Sequence, residues 1–162
     1  MKMNKVLFMT QAAMIAAVYV VLCIAFEPIS YGAIQTRIAE ALTILPFFTP
    51  AAVPGLFIGC LIANLLGGGI LADVICGSVA TLIGAAGTYL LRNKSRYLAP
   101  LPPIIANVLI VPWVLKYGYG EPFGIPFLMG TVGIGEILTC GIIGLVLLAV
   151  LEKYRSVIFK MA

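Results

Sequence analysis

The chain has 162 residues, 62% of them hydrophobic and only 10% charged, with a formal net charge of +4, a pI near 9.0 and a mean hydropathy of +1.14. Soluble domains run at roughly 45–50% apolar and about 25% charged, so 10 basic and 6 acidic side chains cannot clothe a soluble surface. A soluble enzyme, a disordered chain and a secreted disulfide scaffold are excluded, and an integral membrane protein remains.

Apolar runs separated by turn residues predict an all-α bundle of six transmembrane helices, a single membrane domain over residues 1–162. Span one is Val6–Phe26, stopped by Glu27-Pro28. It follows Lys2 and Lys5 but is longer than the 7–15 residues of a signal-peptide core, so it reads as a retained helix. Its small residues Ala12, Ala13, Ala16 and Ala17 form two pairs spaced by four, the pattern that lets helices approach closely in lipid. Packing within the bundle and docking of another membrane subunit both fit that pattern. Span two, Ala33–Phe48, carries Arg37 and Glu40. Span three is Ala51–Leu66, ended by Gly67-Gly68-Gly69. At ~16 residues these two reach only ~24 Å as α-helices, short of a ~30 Å hydrocarbon layer. They are expected to be tilted, broken or sheltered by the other helices. Span four is Ile70–Leu91, ended by a basic cluster at Arg92, Lys94 and Arg96. Span five, Leu98–Leu115, has Pro100, Pro102 and Pro103 in its first turns and Pro112 near its end. Span six is Pro126–Leu151.

Six spans with the N-terminus inside put Lys2, Lys5, Arg92, Lys94, Arg96, Lys153, Arg155 and Lys160 on the cytoplasmic side, a positive-inside pattern with both termini cytoplasmic. This topology explains the basic residues better than nucleic-acid binding does. The expected location is the cell membrane, multi-pass and in contact with lipid. There is no histidine, which removes the commonest metal ligand and catalytic base. Cys23, Cys60, Cys76 and Cys140 lie in apolar runs and read as small buried hydrophobes. No phosphate-loop motif is present, so the chain is not expected to hydrolyse ATP. No catalytic residue, metal or cofactor is expected.

The informative residues are the polar ones inside the spans, each costly in hydrocarbon. Arg37 and Glu40, three apart, share a helix face and can pair. Glu136 sits ~15 Å into span six with no basic neighbour in sequence. Asn64, Asp73 and Asn107 are further polar candidates, with Gln35, Trp113 and Tyr31 near them in depth. Most of these fall in the outer half of the six-span layout, with Glu136 and Asn107 near the middle. That predicts a pocket filled from outside and closed toward the cytoplasm. Tyr31, Tyr117, Tyr119 and Phe123 in the outer loops are candidates for a lid or an interfacial aromatic belt.

The basic N-terminus, the alanine pairs of the first helix and the missing ATPase motif resemble the substrate-binding S-components of energy-coupling factor (ECF) transporters. More specifically, Gln35-Thr36-Arg37-Ile38-Ala39-Glu40-Ala41-Leu42, Leu45-Pro46-Phe47-Phe48, Pro54-Gly55-Leu56 with Gly59-Cys60 and Ala63-Asn64, then Asp73 and Gly77-Ser78, resemble the queuosine-precursor transporter family, QueT. The resemblance implies a high-affinity binding subunit for a small-molecule substrate. It would work with an EcfT-type coupling subunit and two EcfA-type ATPases, and would not be an enzyme. It further implies a docking face around Ala13 and Ala17 with Ala12 and Ala16, and a deazaguanine base as substrate, either the aminomethyl precursor or queuine. A carboxylate can accept the ring N–H and exocyclic amine of such a base, and a second can meet the aminomethyl cation. Glu136 and Glu40 supply the two, Arg37 offsets one of them, and Asn64, Asn107, Gln35, Asp73, Trp113 and Tyr31 complete the expected site. Which carboxylate meets which end stays open. An S-component for another micronutrient, or a small proton-coupled carrier using Glu136, are the alternatives.

Overall fold

Helix α1 spans Lys5–Ala25. Asn4 caps it, its side-chain oxygen accepting from the Val6 amide at 3.2 Å, which satisfies one of the N–H groups a first turn leaves free. Next come a ten-residue 3-10 helix, Ile38–Phe47, and α2, Ala52–Leu66. Gly68 then turns the chain at a φ of 70°, a left-handed conformation that glycine adopts without steric cost. Helix α3 covers Leu71–Leu91, and a single 3-10 turn at Arg96–Leu98 leads into α4, Leu101–Tyr117. Pro102 and Pro103 fall in the first turn of α4, where a missing N–H costs nothing. Helix α5 is a 29-residue rod, Ile125–Lys153, whose middle portion Ile137–Ile143 is π-wound. This computed structural model describes residues 4–26 and 37–155, with no strand among them. Tyr31, Gln35, Lys2, Lys160 and the first residues of span two lie outside the described residues.

Among the described residues, four helices are long and apolar enough to cross a membrane: Lys5–Ala25, Leu71–Leu91, Arg96–Tyr117 and Ile125–Lys153. The shorter apolar helices are Ile38–Phe47 and Ala52–Leu66, matching the two short spans expected. The first of them is sheltered. Residues 39–44 and Pro46 are buried, and the 3-10 helix touches α1, α2, α3 and α5. Runs of 3-10 winding seldom exceed four residues. Here Pro46 disfavours an α-helix, because its ring would meet the carbonyl of Leu42. Burial within protein keeps the strained backbone away from lipid.

Sequence neighbours pack on one another: α1 on α2, α2 on α3, α3 on α4, α4 on α5. Small residues set the closest approaches. A Cβ on Gly55 would lie 2.7 Å from the Ala12 carbonyl oxygen, and one on Gly59 would lie 3.1 Å from the Ala16 Cα and 2.9 Å from the Tyr19 Cβ. A Gly-x-x-x-Gly face on α2 therefore seats the Ala12/Ala16 face of α1. Ala12 and Ala16 lie on this face against α2, Ala16 buried and Ala12 half-buried, while Ala13 and Ala17 are exposed on the other side of α1. A second close crossing joins Gly84 and Gly87 of α3 to Pro103 and Pro102 of α4. Between α1 and the C-terminal end of α5 an apolar groove of about 300 Å³ remains, floored by Leu45 and Thr49. Arg96 and Glu152 tie the α3–α4 connection to the end of α5 by an exposed ion pair at 3.4 Å.

Candidate functional site

The 3-10 helix carries Glu40 into the centre of the bundle, where its side chain is 1% exposed. Tyr19 of α1 donates its hydroxyl hydrogen to Glu40 Oε1, and Thr81 of α3 donates to the same oxygen at 3.2 Å. Asn107 of α4 donates from Nδ2 to Glu40 Oε2 at 3.5 Å and to Glu136 Oε1 at 2.9 Å. Cys140, one turn after Glu136, approaches Glu136 Oε2 at 3.1 Å and the Glu40 carbonyl oxygen at 3.3 Å. Two carboxylates and a thiol thus offer oxygen and sulfur atoms within 4.8 Å of one another, all buried. At that spacing, like charges in a low dielectric cannot both persist without a cation or a proton.

Above this pair lies a second polar group. Arg37 Nη2 meets Asp73 Oδ2 at 3.2 Å, and Tyr119 donates to the same oxygen at 3.1 Å. Burial and the Asp73 carboxylate push the Tyr119 hydroxyl above its usual value, so it stays a neutral donor. Asn64 donates to the backbone carbonyl of Asp73 at 3.3 Å and fixes the first turn of α3. A Cβ on Gly77 would sit 3.1 Å from Asn64 Nδ2 and 3.3 Å from Asp73 Oδ1, so the bare glycine makes room for this group.

Arg37 does not use the partner expected from sequence spacing, since its ion pair is with Asp73 rather than Glu40. The cause is local. Arg37 is the residue before the 3-10 helix, with extended φ −81° and ψ 99°, so its side chain leaves the helix face that Glu40 occupies. Trp113 is also displaced from the expected site. It is 53% exposed and stacks on Tyr117 at 6.0 Å, about half a turn around α4 from Asn107 and Val111, which face inward. Phe123 packs its ring at a tilt against Phe127 at 4.7 Å, and Tyr119 is, among the described loop aromatics, the one that reaches the polar group. The structure thus brings together Glu40, Glu136 and Asn107, and adjoins Arg37, Asp73 and Asn64. Tyr31 and Gln35 fall outside the described residues.

Tyr19, Thr81 and Thr43 were not singled out by sequence, and Cys140 was read there only as a small buried hydrophobe. Thr43 donates to the Glu40 carbonyl at 2.6 Å and lies 3.4 Å from Cys140 Sγ. Spacing carried part of this signal, since Cys140 is four residues after Glu136 and Thr81 eight after Asp73, each on a shared helix face. Arg37, Glu40, Asn107, Val111, Val132 and Glu136 line a pocket, but its cavity volume is about 10 Å³, room for roughly one water. Ligand pockets usually measure ~300–1,000 Å³, so a ring-sized ligand requires the walls to part.

Residues 9–153 match the model of a family described as QueT transporter. Over 85 residues the chain is 38% identical to the queuosine precursor transporter QueT of Lactococcus lactis subsp. cremoris (strain MG1363). That alignment covers 51% of this chain and 50% of the relative, so it spans about half the length of each. No solved structure matches.

Proposed function

The chain belongs to the QueT transporter family, a family of transporters and not enzymes, and from that membership we propose that it is the substrate-binding S-component of an ECF importer for a queuosine precursor. Its one domain, residues 1–162, crosses the cell membrane six times with both termini in the cytoplasm. An EcfT-type coupling subunit and two EcfA-type ATPases supply the energy. Nucleic acid takes no part. In this orientation the end of α4 and the start of α5 face outward, and the pocket lies in the outer half of the bundle.

The observation that carries this reading is the buried carboxylate pair, Glu40 and Glu136, joined by Asn107. A deazaguanine bearing an aminomethyl group has an N–H edge at one end and a cation at the other. Two carboxylates are the complement of that pattern, and charge-assisted contacts of this kind are strong. Because Arg37 is paired with Asp73, it does not neutralise the carboxylate pair directly but roofs it. Ala13 and Ala17 form the outward face of α1 on which the coupling subunit docks.

Mass spectrometry of the compound that co-purifies with the chain tests the substrate. A deazaguanine base is expected, and another micronutrient would transfer the reading to a different S-component specificity. In a thermal-shift titration with the aminomethyl base, Glu136→Gln is expected to remove most of the ligand-induced rise while shifting the ligand-free midpoint far less. An unchanged rise would remove Glu136 from the site. Uptake by the purified chain alone in proteoliposomes would favour a self-sufficient carrier over the ECF assembly.

A further inference from the structure

Glu40 and Glu136 are 1% and 5% exposed, and their nearest cationic neighbour among the described residues, Arg37, already pairs with Asp73. The other titratable groups facing the pair are Tyr19 and Cys23 on α1, Cys60 on α2 and Cys140 on α5, and α4 contributes only the amide of Asn107. None of these is a cation. Two ionised carboxylates would therefore put uncompensated like charge in the centre of a membrane bundle.

The hydrogen-bond geometry has a place for a proton. Glu40 Oε1 receives the Tyr19 hydroxyl hydrogen and lies 3.2 Å from the Thr81 hydroxyl, and Oε2 faces the Asn107 amide, so both Glu40 oxygens already meet donors. Glu136 Oε1 receives the other hydrogen of the Asn107 amide at 2.9 Å. Glu136 Oε2 faces only Cys140 Sγ at 3.1 Å, and that sulfur lies 3.3 Å from the Glu40 carbonyl. A hydrogen on Glu136 Oε2 can point to the sulfur, while the thiol hydrogen turns to the Glu40 carbonyl. Every polar atom is then satisfied with one net negative charge.

We propose that the ligand-free site stores one proton on the Glu40–Glu136 pair, held at Glu136, and exchanges it for the cationic group of the incoming base. This deepens the substrate reading above and rests on it. In the bound state one carboxylate meets the aminomethyl cation and the other accepts the ring N–H and amine, so both act as anions. The O–H bond of Glu136 breaks, its proton passes to external water, and one positive charge replaces another. No covalent bond of the ligand changes. The exchange is electroneutral inside the bundle, and it selects the cationic base over the same ring without the aminomethyl group, which brings no charge to replace the proton.

The test is calorimetric titration of the purified chain with the aminomethyl-deazaguanine base at pH 7 in phosphate and in Tris. The expected result is a binding enthalpy that varies with buffer ionisation enthalpy at a slope of about one proton released per ligand. 7-Deazaguanine is expected to bind at least tenfold more weakly and to release none. Infrared spectra of the ligand-free chain are expected to show a protonated carboxyl band that Glu136→Gln abolishes. Tight binding with no buffer dependence would overturn the exchange, as would a ligand-free chain lacking the acid band or holding a stoichiometric metal ion. If neither base binds, the substrate reading and the exchange fall together, and the infrared band alone still decides whether the pair holds a proton.

Discussion

Arg37 and Asp73 are 36 positions apart in sequence and meet because one lies just before the 3-10 helix and the other in the first turn of α3. A largely buried guanidinium left without its carboxylate is costly, and losing one partner of such a pair commonly destabilises by ~3–5 kcal/mol. Asp73→Asn is therefore expected to lower the unfolding midpoint more than Arg37→Gln combined with Asp73→Asn. A double-mutant cycle should return a coupling of about 1 kcal/mol or more, and additive effects would show that the pair adds nothing. At this scale the sequence was readable where a charge stood out against lipid. Glu40, Glu136 and Asp73 declared themselves because a carboxylate in an apolar run needs a reason to be there. Tyr19 did not, since a tyrosine on a helix of valines and alanines reads as packing until its partner is known. The Arg37–Glu40 spacing misled because spacing arguments assume that both residues lie inside one helix, and Arg37 lies just outside it.

Helix positions followed closely from the apolar runs, and turn residues set most boundaries to within about three positions. What the runs did not reveal was the winding. A 3-10 helix and a π-wound segment carry the same apolar composition as an α-helix, and they differ through tertiary packing and single prolines. The alanine pairs of α1 posed a question that sequence left open, and in the fold Ala12 and Ala16 lie against the glycines of α2. Gly59→Ala places a methyl against the Tyr19 Cβ, an overpacking that costs about 1–3 kcal/mol. It also moves the hydroxyl that donates to Glu40, so weaker ligand binding is expected along with the lower midpoint. Ala13→Leu with Ala17→Leu, on the exposed side, is expected to leave both midpoint and binding nearly unchanged while abolishing ATP-driven uptake. Retained uptake would place the docking surface elsewhere.

For the whole molecule, composition sufficed to place the chain in lipid, and the distribution of lysine and arginine gave an orientation that can be checked directly. Ser95→Cys, in a background where the half-buried Cys76 is replaced by alanine, is expected to react with membrane-impermeant maleimide only from the cytoplasmic side. Labelling from outside would invert the topology. How four long helices and two short ones share one core was not legible, because it depends on which residues sit deepest, and the deepest element is the shorter of the two short helices. The partners of Glu40 reach from Tyr19 to Cys140, with sequence separations of 21, 41, 67 and 100 residues. The contacts between consecutive helices can form in pairs as the chain emerges and are short-range in sequence, a pattern that favours quick assembly. The Glu40–Glu136 cluster cannot form that way. Until the final helix arrives, Glu40 lacks the Cys140 contact to its carbonyl and the second carboxylate of the pair. Maturation of the cluster is therefore a late event in biogenesis, and truncation before α5 should give a chain that inserts yet never acquires affinity for the proposed base.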